Sequence, residues 1–148
     1  MFSNIVVGVD GSDTSDNAVR IACDLAGRYD SDLYLVHTPQ PQTVAFAMGA
    51  VAGYHAATTM PHHDEVVEAA GRIVDRATAV AKSCGRSVAD TRIDQGDPAA
   101  HIVACADEVG ADLIVTGRRG LGSIGSLVQG STSQQVNHLA KCATLSVI

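Results

Sequence analysis

The sequence predicts an α/β fold, a parallel sheet covered by helices, and three observations carry that prediction. Hydrophobic residues make up 46 % of the chain while aromatics supply only 3 %, so the core must be built from Val, Ile, Leu and Ala, the material of strands buried on both faces. Apolar runs too brief for helices alternate with longer stretches in which apolar residues recur at three and four positions. A length of 148 residues suits one domain, able to bury roughly two-thirds of its unfolded surface.

Ile5-Val6-Val7-Gly8-Val9 reads as the first strand, broken at Asp10-Gly11-Ser12 where turn chemistry begins. Ala18, Ile21, Ala22, Leu25 and Ala26 form the stripe of a first helix, preceded by N-cap candidates in Ser12-Asp13-Thr14 and with Gly27 near its end. Leu33 to Val36 is strand 2. Val66, Val67, Ile73, Val74 and Val80 mark a long second helix that ends at Gly85, and Val88 to Ile93 follows as strand 3. Asp97-Pro98 is an N-cap with proline at the first helical position, and Ile102, Cys105, Ala106 and Val109 line helix 3 up to Gly110. Leu113-Ile114-Val115 is strand 4. Val136, Leu139 and Ala140 place helix 4 after Ser131, and Thr144 to Ile148 closes the chain as strand 5. Thr38 to His63, rich in Pro, Ala, Gly, Thr and His, is longer than an ordinary connection and reads as a flap or a carrier of one short helix.

A net charge of −6 with ten scattered Lys and Arg lacks the electrostatic footprint of nucleic-acid or anionic-membrane binding. No apolar run reaches membrane-spanning length, and the first residues run into a strand without a signal-like segment, so a cytoplasmic location is expected. Cys23, Cys84, Cys105 and Cys142 form no C-x-x-C pair and read as reduced core thiols.

Strands joined through helices give a parallel sheet with ligands beyond the carboxyl ends at the switch point, which directs attention to Asp10 and Gly117. The segment from Thr116 to Thr132 leaves strand 4 and ends at a helix start, with Gly117, Gly120, Gly122, Gly125 and Gly130 along it. Glycine lets the backbone approach an anion and turn successive N–H groups inward, and the start of helix 4 adds its dipole, so this segment suits a polyphosphate. Ser131 and Thr132 offer hydroxyls, and either Arg118 or Arg119 offers a positive charge. The plainer reading makes Ser131 an N-cap in a Ser131-x-x-Gln134 capping box and the glycines a turn. Asp10 has two readings as well, a ribose ligand or an acceptor within its own turn. The P-loop and dinucleotide alternatives fail: no G-x-x-x-x-G-K-[ST] is present, the only lysines are Lys82 and Lys141, and no G-x-G-x-x-G follows strand 1. His55, His62 and His63 lack a carboxylate or cysteine at ligand spacing and read as solvated, so no metal ligand is assigned. His101 reads as exposed on helix 3, without a role.

Gly117-x-x-Gly120, nine residues, then Gly130-Ser131 resembles the G-x-x-G-x(9)-G-[ST] nucleotide loop of the universal stress protein family. The resemblance covers nearly the whole chain through Val7-Gly8-Val9-Asp10-Gly11-Ser12, Leu35-Val36-His37, Gly96-Asp97-Pro98 and Ala111-Asp112-Leu113-Ile114-Val115. It implies one Rossmann-like domain over residues 1–148, of the adenine nucleotide alpha hydrolase-like kind, with a five-stranded parallel sheet in the order 3-2-1-4-5 and helices on both faces. It further implies the ATP-binding branch, with Gly8, Val9 and Asp10 facing ribose and adenine and Thr38 at the adenine edge. Thr116, Gly117, Arg119, Gly120, Gly130, Ser131 and Thr132 would then surround the phosphates. Mg²⁺ would accompany ATP without a protein cage, and strand 144–148, an open sheet edge, would pair with a second copy in a homodimer. Two positions depart from the family pattern: Cys142 is followed by Ala143 where Cys-Pro is usual, and Thr38 stands where an aliphatic residue is common. The expected activity is nucleotide-dependent regulation in a stress response. A slow ATPase or autophosphorylating phosphotransferase and a nucleotide-free dimerisation module are the alternatives, and no catalytic residue is assigned.

Overall fold

Five parallel strands form one sheet in the order β3-β2-β1-β4-β5 in the computed structural model, which describes residues 1–40, 63–118 and 130–148. The strands are β1 (Asn4–Gly8), β2 (Asp32–His37), β3 (Asp90–Ile93), β4 (Leu113–Gly117) and β5 (Ala143–Val147). Among the described residues four helices connect them: α1 (Asp13–Tyr29), α2 (His63–Ser83), α3 (Pro98–Val109) and α4 (Ser131–Leu139). Among the described residues no helix is long and apolar enough to cross a membrane.

Strand alternation decides which residues meet which helices. Ile5, Val7, Leu33, Leu35, Leu113 and Val115 share one face with Ala18, Val19, Ala22, Cys23 and Ala26 of α1 and Ala77 and Ala81 of α2. Val6, Val36 and Ile114 point the other way, onto Ala99, Ile102, Cys105 and Ala106 of α3 and Val136 of α4. Small side chains on the helices let them lie close to branched side chains on the strands, and this replaces the aromatic residues the composition lacks.

Several boundaries differ from the sequence reading, each for a local reason. α1 runs past Gly27 to a left-handed cap at Asp30 (φ 56°), whose N–H bonds to the Ala26 carbonyl. Gly27 instead lies under the Arg86 guanidinium, which a Cβ there would meet at 2.8 Å and push aside. β3 begins at Asp90, although the Ala89 N–H already donates to the Leu33 carbonyl at 2.7 Å. Helix 4 is capped by Gly130 and has Ser131 as its first residue, so the alternative reading of Ser131 as the N-cap of a capping box does not hold. Of the thiols, Cys23 and Cys105 are buried and Cys142 is half-buried, but Cys84 is exposed, which corrects the reading of all four as core residues.

Candidate nucleotide site

β1 and β4 are neighbours in register, with Gly8 opposite Thr116, so the segments that leave them start side by side at the carboxyl edge of the sheet. The turn after β1 is tied from within. Asp10 Oδ1 accepts the Ser12 N–H at 2.9 Å and the Ser12 hydroxyl at 2.5 Å, while Ser12 Oγ accepts the Ser15 N–H at 3.2 Å and so caps α1. Because the Ser12 hydroxyl proton goes to Asp10, the Thr14 hydroxyl 3.0 Å away is the donor of that pair. Both Asp10 bonds use one carboxylate oxygen, so the turn-acceptor role and a ligand role are compatible.

Arg76 of α2 holds this turn from outside. Its guanidinium donates to Asp16 Oδ2 at 2.9 and 2.5 Å, to Asp13 Oδ1 at 3.2 Å and to the Gly11 carbonyl at 3.3 Å. The Asp16 side chain is only 8 % exposed, and the guanidinium is what makes its burial tolerable. Gly11 lies at φ +82°, a left-handed conformation in which a side chain would also press on Ile73.

At the end of β2 the buried His37 donates Nδ1–H to the Val9 carbonyl at 2.8 Å, and the Val9 N–H donates to the Val36 carbonyl at 2.9 Å. Val9 therefore spends its main-chain groups inside the fold. Burial pulls the His37 pKa below its ordinary value, opposed by the bond to Val9 and by the Asp10 charge. Thr38, also buried, pairs through Oγ1 with Nδ1 of His101 at 3.2 Å. His101 is thus half-buried at the edge of the site and not idle on an exposed face, contrary to the sequence reading. A signal for it did exist: the first turn of a helix that follows a strand of a parallel sheet sits at the carboxyl edge.

Gly117 ends β4 against the first turn of α1, where a Cβ would stand 2.9 Å from Thr14 Oγ1 and 3.1 Å from the Ser15 nitrogen. A Cβ on Gly8 would stand 2.6 Å from Cδ1 of Ile102 and 3.3 Å from the methyl of buried Thr116. Both glycines are thus demanded by packing, before any ligand is considered. Beyond Gly117, the Arg118 N–H donates to the Val147 carbonyl at 2.6 Å and the Arg118 carbonyl accepts the Gly130 N–H at 2.7 Å. This last bond sets the start of α4 beside the end of β4. Arg119 and Gly120, with Gly122, Gly125, His55 and His62, lie outside the described residues.

Among the described residues the start of α4 has no side-chain cap. No acidic residue stands in the first turn, and the Ser133 hydroxyl turns back to the Gly130 carbonyl at 2.9 Å. Ser131 is exposed and Thr132 half-buried on that turn. Uncapped N–H groups together with the positive end of the helix favour an anion. Among the described residues no cluster of His, Cys, Asp or Glu has the arrangement of a metal centre, and His63 stands exposed at the head of α2.

Comparison with known proteins agrees with this architecture. A family model described as the Universal stress protein family matches residues 1–147. Universal stress protein YxiE of Bacillus subtilis is 31 % identical over 153 residues, covering 99 % of each chain. A universal stress protein from Thermus aquaticus, described by its place in the QAH/OAS sulfhydrylase 3' region, is 34 % identical over 148 residues, again covering 99 % of each. The crystal structure of a universal stress protein in complex with cAMP superposes with a TM-score of 0.68 at 28 % identity, over 99 % of this chain and 96 % of that one. With sheet order, motif spacing and matched length in agreement, this chain belongs to the universal stress protein family.

Proposed function

We propose that the chain binds an adenine nucleotide, ATP with Mg²⁺ foremost, at the carboxyl edge of β1 and β4, and acts by that binding as a regulator in a stress response. The observation that carries the proposal is the uncapped start of α4, held beside the Asp10 turn by the Gly130–Arg118 bond. The Ser131 and Thr132 hydroxyls and their N–H groups would meet the terminal phosphates, with Gly117, Arg119 and Gly120 completing the loop. Asp10 would meet the ribose, Gly8 and Val9 the adenine wall, Thr38 its edge, and Thr116 the floor below. The cAMP complex of a relative supports an adenine nucleotide as the ligand class. Mg²⁺ would come with the triphosphate as its counter-ion.

Binding rather than turnover is favoured by where the lysines are. Lys82 lies in the last turn of α2 and Lys141, paired with Asp107 at 2.6 Å, just precedes β5, so both sit at the amino edge of the sheet, away from the site. The exposed edge of β5 would pair strand 144–148 with a second copy.

Isothermal titration of the nucleotide-stripped protein with Mg-ATP, ADP and cAMP tests the reading beside a Gly130→Asp variant, which gives α4 its own carboxylate cap. Saturable binding to the parent and its loss in a variant that melts normally are expected. No heat with any of the three nucleotides, or equal binding by the variant, overturns the phosphate site. Sedimentation of the same samples tests the pairing, and a monomer at every concentration sinks it.

A further inference from the structure

The two thiols that meet between α1 and α2 lie on the side of the molecule away from the nucleotide site. Cys23 is 3 % exposed in the middle of α1, within the cluster that includes Ala77 and Ala81 of α2. Cys84 is exposed, one residue past the end of α2, and its N–H is shared between the carbonyls of Val80 and Ala81. The chain then turns through Gly85 at φ +74° and lays the Arg86 guanidinium over Gly27, one turn along α1 from Cys23. The strap 84–86 is thereby laid onto α1 at position 27, and the Cys84 sulfur lies close enough to the Cys23 thiol to bear on its protonation.

We propose that Cys84 and Cys23 are a peroxide-oxidisable pair, Cys84 the sulfur that is attacked by oxidant first and Cys23 the one that resolves it into an intramolecular disulfide. In the first step the Cys84 thiolate attacks one oxygen of hydrogen peroxide, the O–O bond breaks, and the released hydroxide leaves as water, with Cys84 oxidised to a sulfenic acid. In the second the Cys23 sulfur attacks the Cys84 sulfur. The S–O bond breaks, and the Cys23 proton leaves with the hydroxyl as a second water. Two thiols and one peroxide thus give one disulfide and two waters.

The surroundings set this order. Cys84 is open to solvent, whereas burial first, then the neighbouring Cys84 sulfur, push the Cys23 pKa up to about 11 against the opposing pull of Arg86. Cys23 therefore stays protonated and inert until its neighbour carries a leaving group. Cys84 sits in the cap, outside the regular turns of α2, so closure of the sulfurs leaves the helix intact. A transient bond of this kind suits a reducing compartment, where disulfides are redox signals rather than staples.

The test is to treat the reduced protein with hydrogen peroxide and follow intact mass, free-thiol count and tryptic peptides. The expected result is the loss of two thiols and two hydrogens, with the peptide 21–28 linked to the peptide 83–86, and a raised melting temperature reversed by dithiothreitol. Cys84→Ser, at an exposed position, should abolish the link. Cys23→Ala should leave a Cys84 sulfenic acid that dimedone captures, and Cys105→Ser should change neither. Dimedone capture in the parent with no linked peptide, a bond between Cys84 residues of two copies, or oxidation of Cys84 straight to the sulfinic acid would overturn the proposal.

Discussion

Two helices begin at the same edge of the sheet in opposite ways. α3 opens on Asp97, whose carboxylate accepts the Ala100 N–H at 2.7 Å, with Pro98 at a position that needs no donor. α4 opens on Gly130, with no side-chain cap and no acidic residue in its first turn. The first helix start is satisfied by a capping side chain, and the second has no side-chain cap among the described residues. Around the same edge Ser12, Asp10, His37 and Arg76 satisfy their neighbours from within the fold.

The comparison breaks most sharply if α4 is given the cap that α3 has. In Gly130→Asp a carboxylate would stand where the phosphate is proposed to lie, and two such charges about 4 Å apart repel by about 4 kcal/mol at a protein surface. Allowing for solvent and side-chain movement, Mg-ATP affinity should fall about 100-fold, or about 2.7 kcal/mol. Stability should hold or gain a few tenths of a kcal/mol, roughly the difference between Gly and Asp at an N-cap. Titration together with thermal melting reads both signs at once.

Arg76→Ala attacks the internally satisfied side and is the next largest effect. It strips buried Asp16 of its partner and loosens the Gly11 carbonyl, at a cost of about 1.5 kcal/mol, the low end for bonds to a charged group because the guanidinium is 49 % exposed. Chemical denaturation should show the loss, while nucleotide affinity should fall far less than in Gly130→Asp. An unchanged denaturation midpoint would remove Arg76 as the clamp of the turn. Asp97→Ala is smaller again, about 1 kcal/mol of stability for a lost cap, with binding unaltered. A binding defect there would place α3 inside the site and erase the contrast.

The sheet, its helices and the Asp97-Pro98 start of α3 were legible in the sequence, because period, caps and glycines are local signals, whereas these leave open the choice between Gly130 and Ser131 as the cap of α4. Less legible were the contacts between distant segments. Nothing near residue 76 says that its guanidinium will reach Asp16, 60 positions away, and nothing near Gly8 says that Ile102 will fill the space a side chain would take. The glycines at 8 and 117 illustrate the cost of reading a motif by one purpose: each is required by a neighbour in the fold. His101 and Thr38 were placed apart because their pairing depends on the crossover that brings α3 over β2. The four thiols read as core residues because they fall on apolar helix faces or at a helix end, which holds for Cys23 and Cys105 but not for Cys84, exposed just past the end of α2.

The smallest effect tests whether His37 belongs with the satisfied groups. Its pKa is lowered in the folded protein, by burial first, from an ordinary value of 6.5. Between the folded value and 6.5 the unfolded chain therefore binds more protons at this residue, so folding stability rises with pH. The contribution is fully present above pH 6.5 and is lost as pH falls through the folded value. Denaturation midpoints measured from about pH 8 down to about pH 5 should fall on the acid side for the parent, more steeply than for His37→Gln, which can donate to the Val9 carbonyl but does not titrate there. Comparing slopes cancels the other histidines, which both proteins carry. Equal slopes would mean that His37 accepts its proton in the folded state at little cost, and that the Val9 carbonyl is not held by a neutral imidazole.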